Sequence, residues 1–211
     1  MDGSALLERV REDSETELNR LGSEKALLAA TEARLETDAV LVTAAAVLAS
    51  ARETVAAWAD EATDDTAGDT LQATATRLAD AGDDVAAELG DADTDAIGAV
   101  DVPFLSLSAT GDVERVAAAT IGLPLVLDRL FLQSVSFFVN EADNSRADRF
   151  RDLRGMTEDV LADGQDALET LCADDADWEG AAEAATDTVA AAYDDYVSRL
   201  DAMGFDPKPL C

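Results

Sequence analysis

The side chains that usually carry chemistry are scarce in this chain of 211 residues, which has no histidine, two cysteines and only two lysines, Lys25 and Lys208. Without an imidazole, a serine or cysteine nucleophile lacks its usual base, and no Gly-rich phosphate loop is present. Cys172 and Cys211 are too few for a disulfide framework and too far apart for a zinc knuckle. They read as a partly buried thiol and a tail residue. Lysine and carboxylate groups are what remains.

Two charges stand where the pattern is otherwise apolar. Lys25 falls among Leu18, Leu21, Leu28 and Ala29, and Asp128 among Ile121, Leu125, Leu132 and Val135. A buried charge left alone costs several kcal/mol, so each is expected to find an opposite charge or to reach solvent along its stem. The expectation is a buried Lys25–Asp128 pair. The alternative is that Asp128 takes Arg129 or another arginine. A narrower signal is the polar stripe Arg115, Arg129, Gln133, Ser136 and Asn140, which reads as an edge meeting solvent or a partner subunit. Tyr193 and Tyr196, one turn apart, read as the wall of an apolar-ligand pocket or as core rings with a hydroxyl at the surface.

Helices must position these groups. Ile121 to Val139, IGLPLVLDRLFLQSVSFFV, holds three of the six phenylalanines and is the one stretch apolar almost all round. As a helix it would be about 28 Å long, near the span of a membrane. Asp128 and Arg129 at its centre, Pro124, and the want of a second span favour the core of a helical bundle instead. A first helix is expected over 4–31, through Leu7, Val10, Ser14, Leu18, Leu21, Lys25 and Leu28. A second runs over 38–61, capped by Thr37 or Asp38, with Val40, Ala44, Leu48, Ala51, Val55 and Trp58 inward. Leu71, Ala75, Leu78, Gly82, Val85 and Leu89 mark a third. Periodicity stops over 90–111, a long crossover expected to tuck Phe104 and Leu105 against the bundle. Thr110 or Asp112 caps the fourth helix, and Ser145 with Asp148 resembles a capping box for a fifth, through Phe150, Leu153, Thr157, Val160, Leu161, Gly164, Leu168 and Leu171. A sixth carries Trp178, Ala182, Ala185, Val189, Tyr193, Tyr196 and Leu200, and Gly204 stops it. Residues 204–211 form an extended tail.

Composition narrows the setting. Against 15 basic residues stand 46 acidic ones, a net charge of -31, while 48% of residues are hydrophobic and regularly spaced. The spacing argues against disorder. So much like charge repels itself unless salt screens it, as in cytoplasmic proteins of halophilic archaea, which this composition resembles. No basic stripe exists to displace phosphate counterions, so nucleic acid is excluded as a partner. MDGSALLERV lacks the charged and apolar regions of a secretory signal, which points to the cytoplasm.

The helix order, with RLGSEKALLA, ARETVAAWA, SFFVNEAD and the closing AAYDDYVSRLDAMGFDPKPLC, resembles haloarchaeal proteins of the rubrerythrin-like, ferritin-like families. That resemblance implies a bundle holding two iron or manganese ions through inward glutamates and a Glu-x-x-His pair on each of two helices. No histidine supplies those pairs. Leu48, Leu78, Ala81, Val160, Leu161 and Val189 stand where ligands would project, so no ligand position carries over.

The expected architecture is therefore all-α, a ferritin-like up-down helical bundle of about six helices with one long crossover loop, in a single domain over 1–211. A faint echo of Ala73–Leu89 in Ala184–Leu200 suggests two three-helix halves, about 1–89 and 112–203. The expected function is a non-catalytic, metal-free bundle without a cofactor. It acts as a homodimer, or by binding a partner or a small apolar ligand, with no nucleic acid and no membrane. The alternative is a di-iron or di-manganese oxidoreductase with a carboxylate-only site.

Overall fold

Helical spacing in the sequence becomes helix, and several of the breaks fall where a serine or aspartate side chain bonds the nearby backbone, as Ser23, Asp64 and Asp174 do. The computed structural model describes residues 1–89, 94–105 and 109–206, and all regular structure among them is helical. The chain opens with α1 (Gly3–Asp13), α2 (Glu15–Leu21) and α3 (Glu24–Ala30). A hairpin of α4 (Thr37–Glu61) and α5 (Asp65–Ala87) follows. Two 3₁₀ turns, Thr94–Ala99 and Pro103–Leu105, lead to a continuous rod made of α6 (Asp112–Ala117), a π-helical turn (Ala118–Gly122) and α7 (Leu123–Asn140). The closing pair is α8 (Asn144–Leu171) and α9 (Asp175–Ala202).

The count of helices therefore exceeds six, because the first expected helix is three. Ser14 leaves helical geometry between α1 and α2. Beyond Gly22, Ser23 turns extended while its hydroxyl donates to the Arg20 carbonyl at 2.6 Å. That local bond offers the backbone an alternative to the helix at Ser23, whereas the buried Ser14 hydroxyl makes no hydrogen bond and supplies no such cause at the first break. The caps also differ from expectation. Glu36 precedes α4 without a side-chain bond, and Asp143 caps α8 in place of Ser145. Asp112 accepts from Thr63 N, Thr63 Oγ1 and Asp64 N, at 3.0, 2.7 and 2.8 Å, tying the α4–α5 turn to the start of the rod. The end of α9 is as read: Gly204 follows it with φ +78°.

α4 packs along α5 and α7 along α8, with α5 against α8 joining the two hairpins. α9 lies on α6 and the π turn, and α1 touches both α8 and α9. α2 and α3 cover α7 and α9, so the two halves 1–89 and 112–203 open differently, one with short helices and one with the rod.

The rod is the centre. Ile121 to Leu127 are all buried, and Phe138 stacks on Phe150 of α8 with centroids 5.5 Å apart. The π turn has a local cause. Pro124 lacks an N–H and its ring would press on the Thr120 carbonyl, and widening the turn, with Leu123 N bonded to Ala118 O, accommodates it. Glycines let neighbours approach there. A Cβ on Gly122 would stand 2.6 Å from Ala185 O, and one on Gly164 would collide with the Thr120 side chain.

The expectation of no second span fails: Thr37–Glu61 as well as Asp112–Asn140 is long and apolar enough to cross a membrane. Here 56% and 72% of their most apolar windows are buried within the fold.

Candidate functional site

Small side chains leave a cavity beside the rod. On α3, Ala26, Ala29 and Ala30 face Ala192 of α9, and alanine at all four positions leaves volume that leucine would fill. Thr43 and Val47 of α4 and Val126, Leu127 and Leu130 of α7 complete the walls. Val100, Val102 and Phe104 of the crossover strap add to the lining. The strap is held by the Asp101 carbonyl, which accepts from Arg199 Nη2 at 2.5 Å, and by the Leu105 carbonyl, which accepts from Thr54 Oγ1 at 3.3 Å. Leu105 is buried and Phe104 half-buried, so the expected tuck of the crossover is present.

The cavity holds about 80 Å³ and is partly open. One water needs about 10–15 Å³ but also two to four polar partners, and an apolar cavity of about 150 Å³ takes up benzene. These walls are mostly apolar, so the space suits a small apolar group better than a cluster of waters.

Polar groups stand at its rim. Arg199 Nε donates to both Asp195 oxygens, at 3.0 and 2.9 Å. Burial pushes the Asp195 carboxyl above the ordinary aspartate value, Arg199 pulls it down, and the Asp101 charge adds to the rise. Tyr196 is buried against the cavity, its ring 5.9 Å from that of Tyr193. Gln133 donates from Nε2 to the Gly22 carbonyl at 2.6 Å, satisfying the end of α2. The Arg129 stem lies close to Gly22. Its Nε is buried with no acceptor, and its nearest carboxylate is Asp128 with Nη1 3.8 Å from Oδ2.

The expected Lys25–Asp128 pair gives way to two other contacts. Asp128 accepts from Arg154 Nε of α8 at 2.7 Å, while Lys25 Nζ donates to the Asp206 carbonyl at 2.8 Å. The reason is rotational: Asp128 is half-buried on the side of the rod that α8 covers, where a short arginine reach suffices. This is the alternative in which another arginine answers Asp128. The polar stripe also divides. Arg129 and Gln133 turn to the cavity, Ser136 and Asn140 are exposed, and Arg115 pairs with Glu61 instead.

Of the two tyrosines only Tyr196 lines the cavity, and Trp178 lies at the far end of α9. Reasoning from sequence missed Asp195, Arg199 and the strap's role. The Asp195–Arg199 spacing of four beside Tyr196 was the available signal. Cys172 is half-buried and its thiol is pushed up to about 11, by burial first and then by Asp177 and Glu114. Such a thiol is unreactive at neutral pH. Cys211 lies outside the described residues, as do 207–210 of the tail. Among the described residues no three His, Cys, Asp or Glu side chains gather as metal ligands.

Compared with protein families, curated proteins and solved structures, the chain matches none.

Proposed function

We propose that this chain is a non-catalytic, metal-free bundle, ferritin-like in its arrangement, that binds a small apolar ligand in the cavity beneath the 94–105 strap. The observation that carries this reading is the cavity itself: apolar walls from α3, α4, α7 and α9, with a few polar groups set at one rim. A concave apolar space with sparse, placed polar groups is the usual form of a small-molecule site. The setting is the salt-rich cytoplasm of a halophile, which the charge of -31 supports. Self-association belongs to the same reading, as a homodimer through the end of α7, where Val139 is exposed beside Ser136 and Asn140.

The test is to purify the protein in molar KCl, measure bound metal, and analyse an organic extract by mass spectrometry alongside the Ala192→Leu variant. The reading expects a small organic compound released by the parent protein and not by the filled variant. Near-stoichiometric iron or manganese would overturn it in favour of the di-metal oxidoreductase.

A further inference from the structure

Arg129 lines the cavity and holds only a long contact to a carboxylate. Its Nε is buried and donates to nothing, and the neighbouring Asp128 is committed to Arg154 at 2.7 Å, leaving Arg129 a longer contact of 3.8 Å. Nε itself is closed off, but the Arg129 side chain as a whole is 32% exposed and lines the cavity, so its charge is open to a ligand acceptor. The guanidinium edge offers parallel N–H groups whose spacing matches the two oxygens of a carboxylate.

Asp195 and Asp101, which also line the cavity, set the limit on charge. Arg199 is already engaged by Asp195 and by the Asp101 carbonyl. A second negative charge on the ligand would face the Asp195 and Asp101 carboxylates with no cation left to meet it. The rest of the walls are mostly alanine, valine and leucine, and about 80 Å³ accommodates a short aliphatic chain and excludes a long one from full burial.

We propose, on the basis of the apolar-ligand reading above, that the ligand is a short-chain aliphatic monocarboxylate. Its carboxylate pairs with Arg129 and its chain lies between α3 and α9. The positive side chain thereby selects an anion in a protein whose overall charge repels anions.

The experiment titrates the full chain in molar KCl near pH 7 with pentanoate and with its neutral isostere pentanamide, followed by NMR. The parent protein, Arg129→Met, Arg129→Lys and Ala192→Leu are compared. Pentanoate is expected to bind at least about tenfold more tightly than pentanamide, the scale of a charge-assisted hydrogen bond. Arg129→Met should bring the two ligands level by weakening pentanoate far more than pentanamide, Arg129→Lys should fall between, and Ala192→Leu should abolish both. Equal binding of the two ligands by the parent protein overturns the carboxylate assignment and leaves the apolar cavity standing. Binding of neither overturns the cavity reading itself. Pentanoate binding untouched by Ala192→Leu places the anion elsewhere and also overturns the assignment. The comparison of two ligands on the parent protein decides the matter even if Arg129→Met does not fold.

Discussion

Arg154 Nε lies 2.7 Å from Asp128 Oδ1, joining α8 to the middle of the rod. Both side chains are partly open to solvent, 34% and 21% exposed, so the pair is worth less than a fully buried one. Asp128→Asn and Arg154→Met should each lower unfolding stability by about 1–2 kcal/mol, and the double variant by less than their sum. Lys25→Met should cost less than either. Urea denaturation in molar KCl measures all four, and additive losses would show that the pair carries no coupling.

The π turn makes a second test. A Cβ on Gly122 would sit 2.6 Å from Ala185 O, whereas nothing lies within 4 Å of one on Gly155. Gly122→Ala should therefore destabilise by about 1–3 kcal/mol through overpacking, and Gly155→Ala should stabilise by about 0.5–1 kcal/mol in mid-helix. Thermal melts of the two variants would contradict this if they moved in the same direction.

Two aspartates should titrate in opposite senses. The Thr63 hydroxyl, followed by backbone N–H groups, holds Asp112 below the ordinary aspartate value, while burial raises Asp195 above it. Asp112 then contributes stability above the ordinary range that is lost as pH falls through its depressed value. Asp195 works the other way: its contribution is largest below the ordinary range and is lost as pH rises through its raised value. Carbon-13 NMR of the carboxyl groups follows each directly. Asp195 titrating below Asp112 would contradict the assigned environments.

Salt dependence follows from charge. With -31 net charge, the melting temperature should fall steeply when molar KCl is replaced by dilute buffer, as like charges act over a longer Debye length. A melting temperature unchanged across that range would remove the halophilic reading.

Long-range order in the sequence was readable wherever apolar spacing ran uninterrupted. Val40, Ala44, Leu48, Ala51, Val55 and Trp58 are all buried as their spacing required, and so are Phe150, Leu153, Thr157, Val160, Leu161 and Leu168. The breaks were less readable, since Ser14 and Ser23 interrupt a stripe whose spacing is continuous. Spacing also fixes which face a residue occupies only to within part of a turn. That margin separates Asp128 facing Lys25 from Asp128 facing Arg154. The cavity was the least legible feature: it arises from alanines on helices distant in sequence, and absence of volume leaves no pattern along the chain. Among the residues singled out from the sequence, Phe104, Tyr196 and the stripe members Arg129 and Gln133 line it.

The most direct test of ligand binding in the cavity is amide chemical-shift mapping of the full chain in molar KCl during titration with pentanoate. Shifts concentrated in 26–30, 100–104, 126–133 and 192–199, and lost in Ala192→Leu, are the predicted result. Saturable shifts confined to other helices, or none at any concentration, would contradict it.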